Sequence, residues 1–367
     1  MPIIPYGTQW IDDDDIKRVE SVLRSDFLTQ GPAVAEFEAA LCAYTGARFA
    51  VVVSNATAAL HLAVNVLELE PDAEGITSPN TFVASANALV YNGVKPVFAD
   101  IDALTLNIDP AEIEQQLTPR TKVLIPVHFA GRPCDWPRMN ALAKEHHLFV
   151  IEDAAHAIGS GYNPQSDMTV FSFHPVKNMT TGEGGAILTD NPELHEKLLR
   201  RRSHGIVKQA NSWFYEMQDI GYNYRMTDMQ AALGTSQLSK LNRFKARRTQ
   251  IVSAYQRGLA GLSCLRLPLV ADDSVCFHLF VVQIDFATLG KPRTQVMNEL
   301  IQRGVGTQVH YIPVHTQPYY QTQFGYKAGD YPVAEAYYER ALSLPLYPKM
   351  TDDDVAQVIA AVREVVS

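Results

Sequence analysis

From residue 49 to residue 189, short and nearly uninterrupted apolar runs alternate with stretches of helical length, which limits the possible folds more than any other feature of the chain. The runs occupy 49–53, 96–100, 123–128, 149–152, 169–173 and 186–189. A strand that is apolar on both faces has to be covered on both, and helices packed on either side of a parallel sheet supply that cover. The stretches between, among them an Ala/Leu-rich one ending near Leu67 and those at 111–117 and 136–147, read as the covering helices. Such alternation predicts an α/β chain with a large, doubly wound, mostly parallel sheet.

Upstream, 12–23 reads as an amphipathic helix with acids in its first turn, where they suit the helix dipole. The loop Thr29-Gln30-Gly31-Pro32 leads to a second helix through Phe37 and Leu41. After about Leu241 the pattern changes to a long helix at 242–259, strands around 277–284, a helix near 293–303 and a last helix at 352–366. The stretch 317–331 reads as an aromatic-rich loop. A chain of 367 residues accommodates two units. Residues 1–241 are expected to form an N-terminal segment with the large domain, and 242–367 a smaller α+β domain.

With 47% hydrophobic and 19% charged residues, such a chain buries a core that needs no disulfides. Cys42, Cys134, Cys264 and Cys276 are scattered without a CxxC pair, which points to reduced thiols and away from a zinc site. A net charge of −9 argues against nucleic acid as the main partner. The one basic run, Leu199-Arg200-Arg201-Arg202, reads as a helix end or a local anion contact. There is no signal-peptide pattern at the start and no apolar run of membrane-spanning length, so the expectation is a cytoplasmic protein without a membrane partner.

Three motifs carry chemistry. Ser54-Asn55-Ala56-Thr57 joins a strand to a helix, where backbone N–H groups and hydroxyls can hold an anion, although plain capping by Ser54 or Asn55 explains the same residues. Ile151-Glu152-Asp153-Ala154-Ala155-His156 puts an acid at the C-terminal end of a buried strand, where open α/β sheets bind their ligands. That acid can cap a helix or face a cofactor. Phe171-Ser172-Phe173-His174-Pro175-Val176-Lys177, followed by Gly182-Glu183-Gly184-Gly185, sets a lysine between an apolar strand and a glycine-rich segment. Burial near other cations lowers a lysine's proton affinity and makes it a usable nucleophile. Any one lysine is ordinarily a surface residue; the three motifs together point to a cofactor site. No GxGxxG follows a strand, which speaks against a dinucleotide-dependent dehydrogenase.

These motifs, with Leu28–Pro32 (LTQGP), Thr81-Phe82-Val83-Ala84, Gly221-Tyr222-Asn223-Tyr224-Arg225, Val309-His310-Tyr311-Ile312-Pro313 and Leu342-Ser343-Leu344-Pro345, follow a familiar order. Along nearly its whole length the chain resembles the DegT/DnrJ/EryC1/StrS sugar aminotransferases, pyridoxal 5′-phosphate (PLP) enzymes of fold type I. The resemblance implies PLP held as a Schiff base on Lys177, with Asp153 paired to the pyridinium nitrogen. It implies phosphate contacts at Ala56, Thr57 and Ser172, and Phe82 stacked on the ring. Asn223 would reach the phosphate from the partner subunit of a homodimer with shared active sites. His156 stands where the family commonly has glutamine; its imidazole can still hydrogen-bond near the cofactor's phenolic oxygen. Dehydratases of the family carry histidine in place of the lysine, so Lys177 favours transamination.

Within the family, Arg202-Ser203-His204-Gly205, the stretch 308–315, the pair Tyr319-Tyr320 and 343–348 resemble the branch of pseudaminic acid biosynthesis. That implies a UDP-linked 4-keto-6-deoxy-N-acetylhexosamine as substrate and L-glutamate as amino donor, with His310, Tyr311 and His315 near the nucleotide sugar. Another nucleotide keto-sugar, or a catalytically silent regulator of the same fold, are the alternatives; an intact Lys177 and Asp153 argue against the latter.

Overall fold

A computed structural model describes residues 3–208, 213–269 and 274–367. Strands β1 (Phe49–Val53), β2 (Glu74–Thr77), β3 (Lys95–Phe98), β4 (Thr121–Ile125), β5 (Phe149–Asp153), β6 (Met168–Ser172) and β7 (Gly185–Thr189) form one sheet in the order 1-7-6-5-4-2-3. Only β7 runs against its neighbours, β1 and β6; the other pairings are parallel. The doubly wound, mostly parallel sheet expected from the alternation is present, and both of its faces are buried. Alternate residues of β1 show why its run is unbroken: Val51 and Val53 pack with Ala59 and Leu62, while Ala50 and Val52 pack with Phe37 and Leu41 on the other face.

β2 escapes a search for apolar runs because it reads Glu-Gly-Ile-Thr. Gly75 is required there, since a Cβ would lie 2.4 Å from Leu89 Cδ2 and 2.9 Å from Val123 Cγ1. Its absence lets the helix Ala84–Tyr91 settle directly on the sheet. The helix Asp228–Ser239 was equally silent in the sequence: it buries small residues such as Ala231 and Ala232, and its Gly234 makes room for the Phe37 ring.

A second sheet of β10 (Leu265–Arg266), β11 (Phe280–Ile284) and β12 (Ala341–Leu344) is antiparallel throughout. Helices Leu241–Gly258, Arg293–Gln302 and Asp352–Val366 cover it, with Tyr255, Phe280, Val282, Leu300 and Val358 in the core. The long helix joins the two units, with Leu241 in a core of the large sheet and Ile251 and Val252 in the C-terminal one. The start of the chain joins the C-terminal unit as well. Ile4 lies in that core, its N–H donates to Gly304 O, and Leu346 N–H donates to Tyr6 O.

The expected loop at 317–331 instead contains the helix Pro318–Phe324, because Tyr320 and Tyr331 pack edge-on against buried Phe98. The basic run ends the helix Pro192–Arg202 and is answered within the chain: Arg200 by Asp219, Arg201 by Glu68 and Arg202 by Glu38. Strands β8 (Ile206–Lys208) and β9 (Tyr215–Met217) form a separate hairpin. Among the described residues no helix is long and apolar enough to cross a membrane.

Candidate active site

The parallel strands end at a cleft of about 810 Å³, which receives residues from the large sheet, from loops of the C-terminal unit and from the N-terminal segment. On one wall is the start of the helix Ala56–Asn65. Asn55 caps it by accepting from Ala58 N–H at 2.8 Å, and Ala56, Thr57 and Ser172 line the cleft. β7 approaches this helix start closely: a Cβ on Gly185 would sit 2.7 Å from Ala56 N. The first N–H groups of a helix have no partner within it and carry partial positive charge, so this wall suits a phosphate.

At the end of β5, consecutive carboxylates point to opposite layers, as strand geometry demands. Glu152 faces away and is held by His128 Nε2 at 3.1 Å and Asn163 Nδ2 at 2.9 Å. Asp153 faces the cleft, with Oδ2 accepting from Ser85 Oγ at 2.6 Å and Oδ1 from Ala155 N–H at 3.1 Å. The turn after β6 presents Lys177, half-buried; burial lowers its amine to about 8 although Asp153 pulls the other way.

The C-terminal unit contributes His278, Gln308, His310 and Tyr311. Burial and the Lys177 charge push His310 down to about 3, and its Nδ1 lies 2.7 Å from Ser343 Oγ. His156 is held well below the ordinary histidine value by burial, then by Lys177 and His310, and its Nε2 is 3.0 Å from Tyr311 Oη. Phe82 stands at the mouth, 58% exposed, with its ring 6.3 Å from that of Tyr311.

Of the expected site residues, Ala56, Thr57, Phe82, Asp153, His156, Ser172, Lys177, His310 and Tyr311 all line this cleft. Two do not. His315 is fully buried beneath Tyr331 and Phe98, with Nε2 2.9 Å from Glu335, so the expectation of a substrate contact there is corrected: it is a core histidine. Asn223 is exposed and pairs through its backbone with Ser203 beside the end of β1.

Sequence reasoning missed Tyr6, Ser85 and His278, and it took in Gln308 only as the start of the stretch 308–315 without giving it a role. Only His278 carries a signal, as a polar residue inside the apolar run Val275–Val282 (VCFHLFVV). Tyr6 arrives through the N-terminal pairing with the C-terminal unit, which has no local signature.

A half-buried amine that is easily deprotonated, a carboxylate oriented by two donors, an anion cradle and an exposed aromatic suit PLP, whose phosphate, ring nitrogen and aldehyde need those groups. With the sheet order of fold type I, they mark the chain as a PLP-dependent enzyme.

The model of the DegT/DnrJ/EryC1/StrS aminotransferase family matches residues 9–363, and the chain belongs to this family. It is 45% identical to the spore coat polysaccharide biosynthesis protein SpsC of Bacillus subtilis, covering 99% of this chain and 97% of that one. Its fold matches Helicobacter pylori PseC, an aminotransferase involved in the biosynthesis of pseudoaminic acid, with a TM-score of 0.94, 34% identity and 99% coverage of both chains. It also matches the PLP form of the putative sugar aminotransferase Spr1654 of Streptococcus pneumoniae, with a TM-score of 0.92, 32% identity and full coverage of both. The protein is a PLP-dependent sugar aminotransferase.

Proposed function

We propose that the protein is a cytoplasmic homodimer that moves an amino group from L-glutamate to C4 of a UDP-linked 4-keto-6-deoxy-N-acetylhexosamine, in pseudaminic acid biosynthesis. The observation that carries the reading is one cleft in which Lys177 and Asp153 are faced by His278, Gln308, His310 and Tyr311. The likeness to PseC across the whole chain supports the sugar class. The higher identity to SpsC favours one second reading, a different nucleotide keto-sugar destined for a surface polysaccharide.

In this reading the N–H groups of Ala56 and Thr57 and the Ser172 hydroxyl hold the cofactor phosphate, and Asn223 of the other subunit completes that contact. Asp153, kept in place by Ser85 and the Ala155 amide, accepts from the ring nitrogen and keeps it protonated. Phe82 and His156, which line the same cleft, would help to hold the ring. When bound, PLP supplies the carbonyl that takes up the amino group and an electron-withdrawing ring that acidifies the donor's Cα–H. Lys177 Nζ would hold the cofactor covalently and, once the incoming amine has displaced it, would be free to accept that proton as a base and give it back as an acid. His310 and Tyr311 grip the sugar end, so that binding energy from the nucleotide holds C4 against the amine.

The test is a panel of UDP- and dTDP-linked keto-sugars with glutamate, with products identified by mass and NMR. Amination at C4 of the UDP substrate is expected; a preference for a dTDP sugar or for C3 would replace this substrate with the second reading. His310→Ala should slow the sugar half-reaction about tenfold or more, roughly the worth of one lost buried hydrogen bond, and leave the glutamate half-reaction near the parent rate. Equal loss in both would move His310 to the cofactor side.

A further inference from the structure

Tyr311 Oη lies 3.0 Å from His156 Nε2, and the direction of this hydrogen bond is determined from behind. His156 Nδ1 accepts the backbone N–H of Ala130 at 3.3 Å. A backbone amide can only donate, so Nδ1 carries a lone pair, and a neutral imidazole then has its proton on Nε2. His156 is therefore the donor and Tyr311 Oη the acceptor.

The groups facing this imidazole keep it uncharged. His156 is 5% exposed, the charges of Lys177 and His310 oppose a proton on it, and the His278 ring is 4.4 Å away. Burial also holds His278 well below the ordinary histidine value. Burial, and then the ionisable neighbours Asp153 and Tyr6, keep the phenol protonated. The Ala130 amide is anchored too, because its carbonyl accepts His278 N–H at 2.9 Å. The turn presses so close to the segment leading into β11 that a Cβ on Gly131 would lie 2.1 Å from Cys276 O. With His156 already donating, the hydroxyl proton of Tyr311 has no acceptor among the described residues, and Tyr311 lines the cleft.

We propose that Tyr311 is a one-way hydrogen-bond donor into the cleft, aimed at an electron-rich oxygen of a bound group, and that His156 and the Ala130 amide are positioning groups that hold it in that state. The inference rests on the reading of the cleft as the cofactor and sugar site. Two bound groups offer such an oxygen, the phenolic oxygen of PLP and an oxygen of the nucleotide sugar. A hydroxyl whose own lone pair is already engaged donates better, because linked hydrogen bonds polarise one another.

The first measurement needs no turnover. In the cofactor-free protein labelled with 15N-histidine, and assigned by comparison with His156→Gln, His156 is expected to show a bare Nδ1 and a protonated Nε2 between about pH 6 and 8. A proton on Nδ1, or a charged ring at the lower end, overturns the proposal whatever the enzyme aminates. The second measurement uses Tyr311→Phe. A loss of PLP affinity of about tenfold in the cofactor-free chain assigns the acceptor to the cofactor. Unchanged PLP affinity with a sugar half-reaction slowed about tenfold assigns it to the sugar. A folded variant that changes neither overturns the donor role. Should Tyr311→Phe not fold, His156→Leu decides by the same two readouts, and parent-like values there overturn the proposal. His156→Gln, which still donates, is expected to keep most of the parent behaviour. Failure of every nucleotide sugar as substrate would leave the NMR and PLP results standing, so the substrate reading and this one fail separately.

Discussion

Lys177 owes its chemistry to where the turn after β6 puts it rather than to its immediate neighbours in the chain. Burial lowers the amine to about 8, against the opposing pull of Asp153. Only the neutral amine can attack the cofactor's aldehyde. Capture of PLP by the cofactor-free protein should therefore speed up about tenfold per pH unit below that value and level off above it. An unperturbed lysine would keep gaining up to about pH 10.4. A stopped-flow record of cofactor absorbance against pH checks this, and a plateau only near pH 10 would return Lys177 to an ordinary, solvated state. The lysine and the acid were legible as motifs because each follows an apolar strand. The hydroxyl that orients the acid, Ser85, was not, since nothing in its own stretch says which strand end it will meet.

Among the elements, the junction of β7 with the helix Ala56–Asn65 ties stability to the proposed phosphate cradle. Gly185 has no space for a methyl group, because the nearest atoms are backbone of Asn55 and Ala56, which cannot swing aside as a flexible side chain can. Gly185→Ala is expected to cost about 1–3 kcal/mol of stability by overpacking, and to weaken PLP binding because the helix start must shift. Denaturant unfolding and a PLP titration measure the two effects. Parent values in both would mean that the strand moves freely and the cradle does not depend on this contact. Periodicity exposed the strands with long apolar runs, but not β2, whose packing depends on a glycine and whose ends are polar. It also made a loop of 317–331, because the aromatics that bury Phe98 there have no helical spacing across the whole stretch.

For the whole molecule, the proposed dimer has an exposed apolar surface to account for. Trp213 is 91% exposed, and Tyr215, Met217 and Ile220 are exposed beside it, a density of apolar groups that a monomer seldom shows to water. Asn223 lies a few residues further on and stays out of its own cleft. If it acts across a dimer, mixing Lys177→Ala chains with Asn223→Ala chains should restore activity, since one site of each heterodimer is free of both changes. Activity assays after demonstrated subunit exchange test this, and two chains that exchange without complementing would exclude the shared site.

The sequence by itself determined the large α/β sheet, because strands buried on both faces must be apolar throughout, and it determined the family, because its motifs occur in order along one chain. It also placed the acid and the lysine at strand ends, where such sheets open. What only the tertiary structure decided is what meets across those ends. His310 and Tyr311 enter the cleft while His315, a few residues on, turns into the core against Glu335. His128 and Glu152 satisfy each other behind the site. The proton on His156 is placed by the backbone amide of Ala130, twenty-six residues earlier in the chain. Hydrogen bonds and burial of this kind depend on atoms brought together from distant segments, and local periodicity carries no record of them.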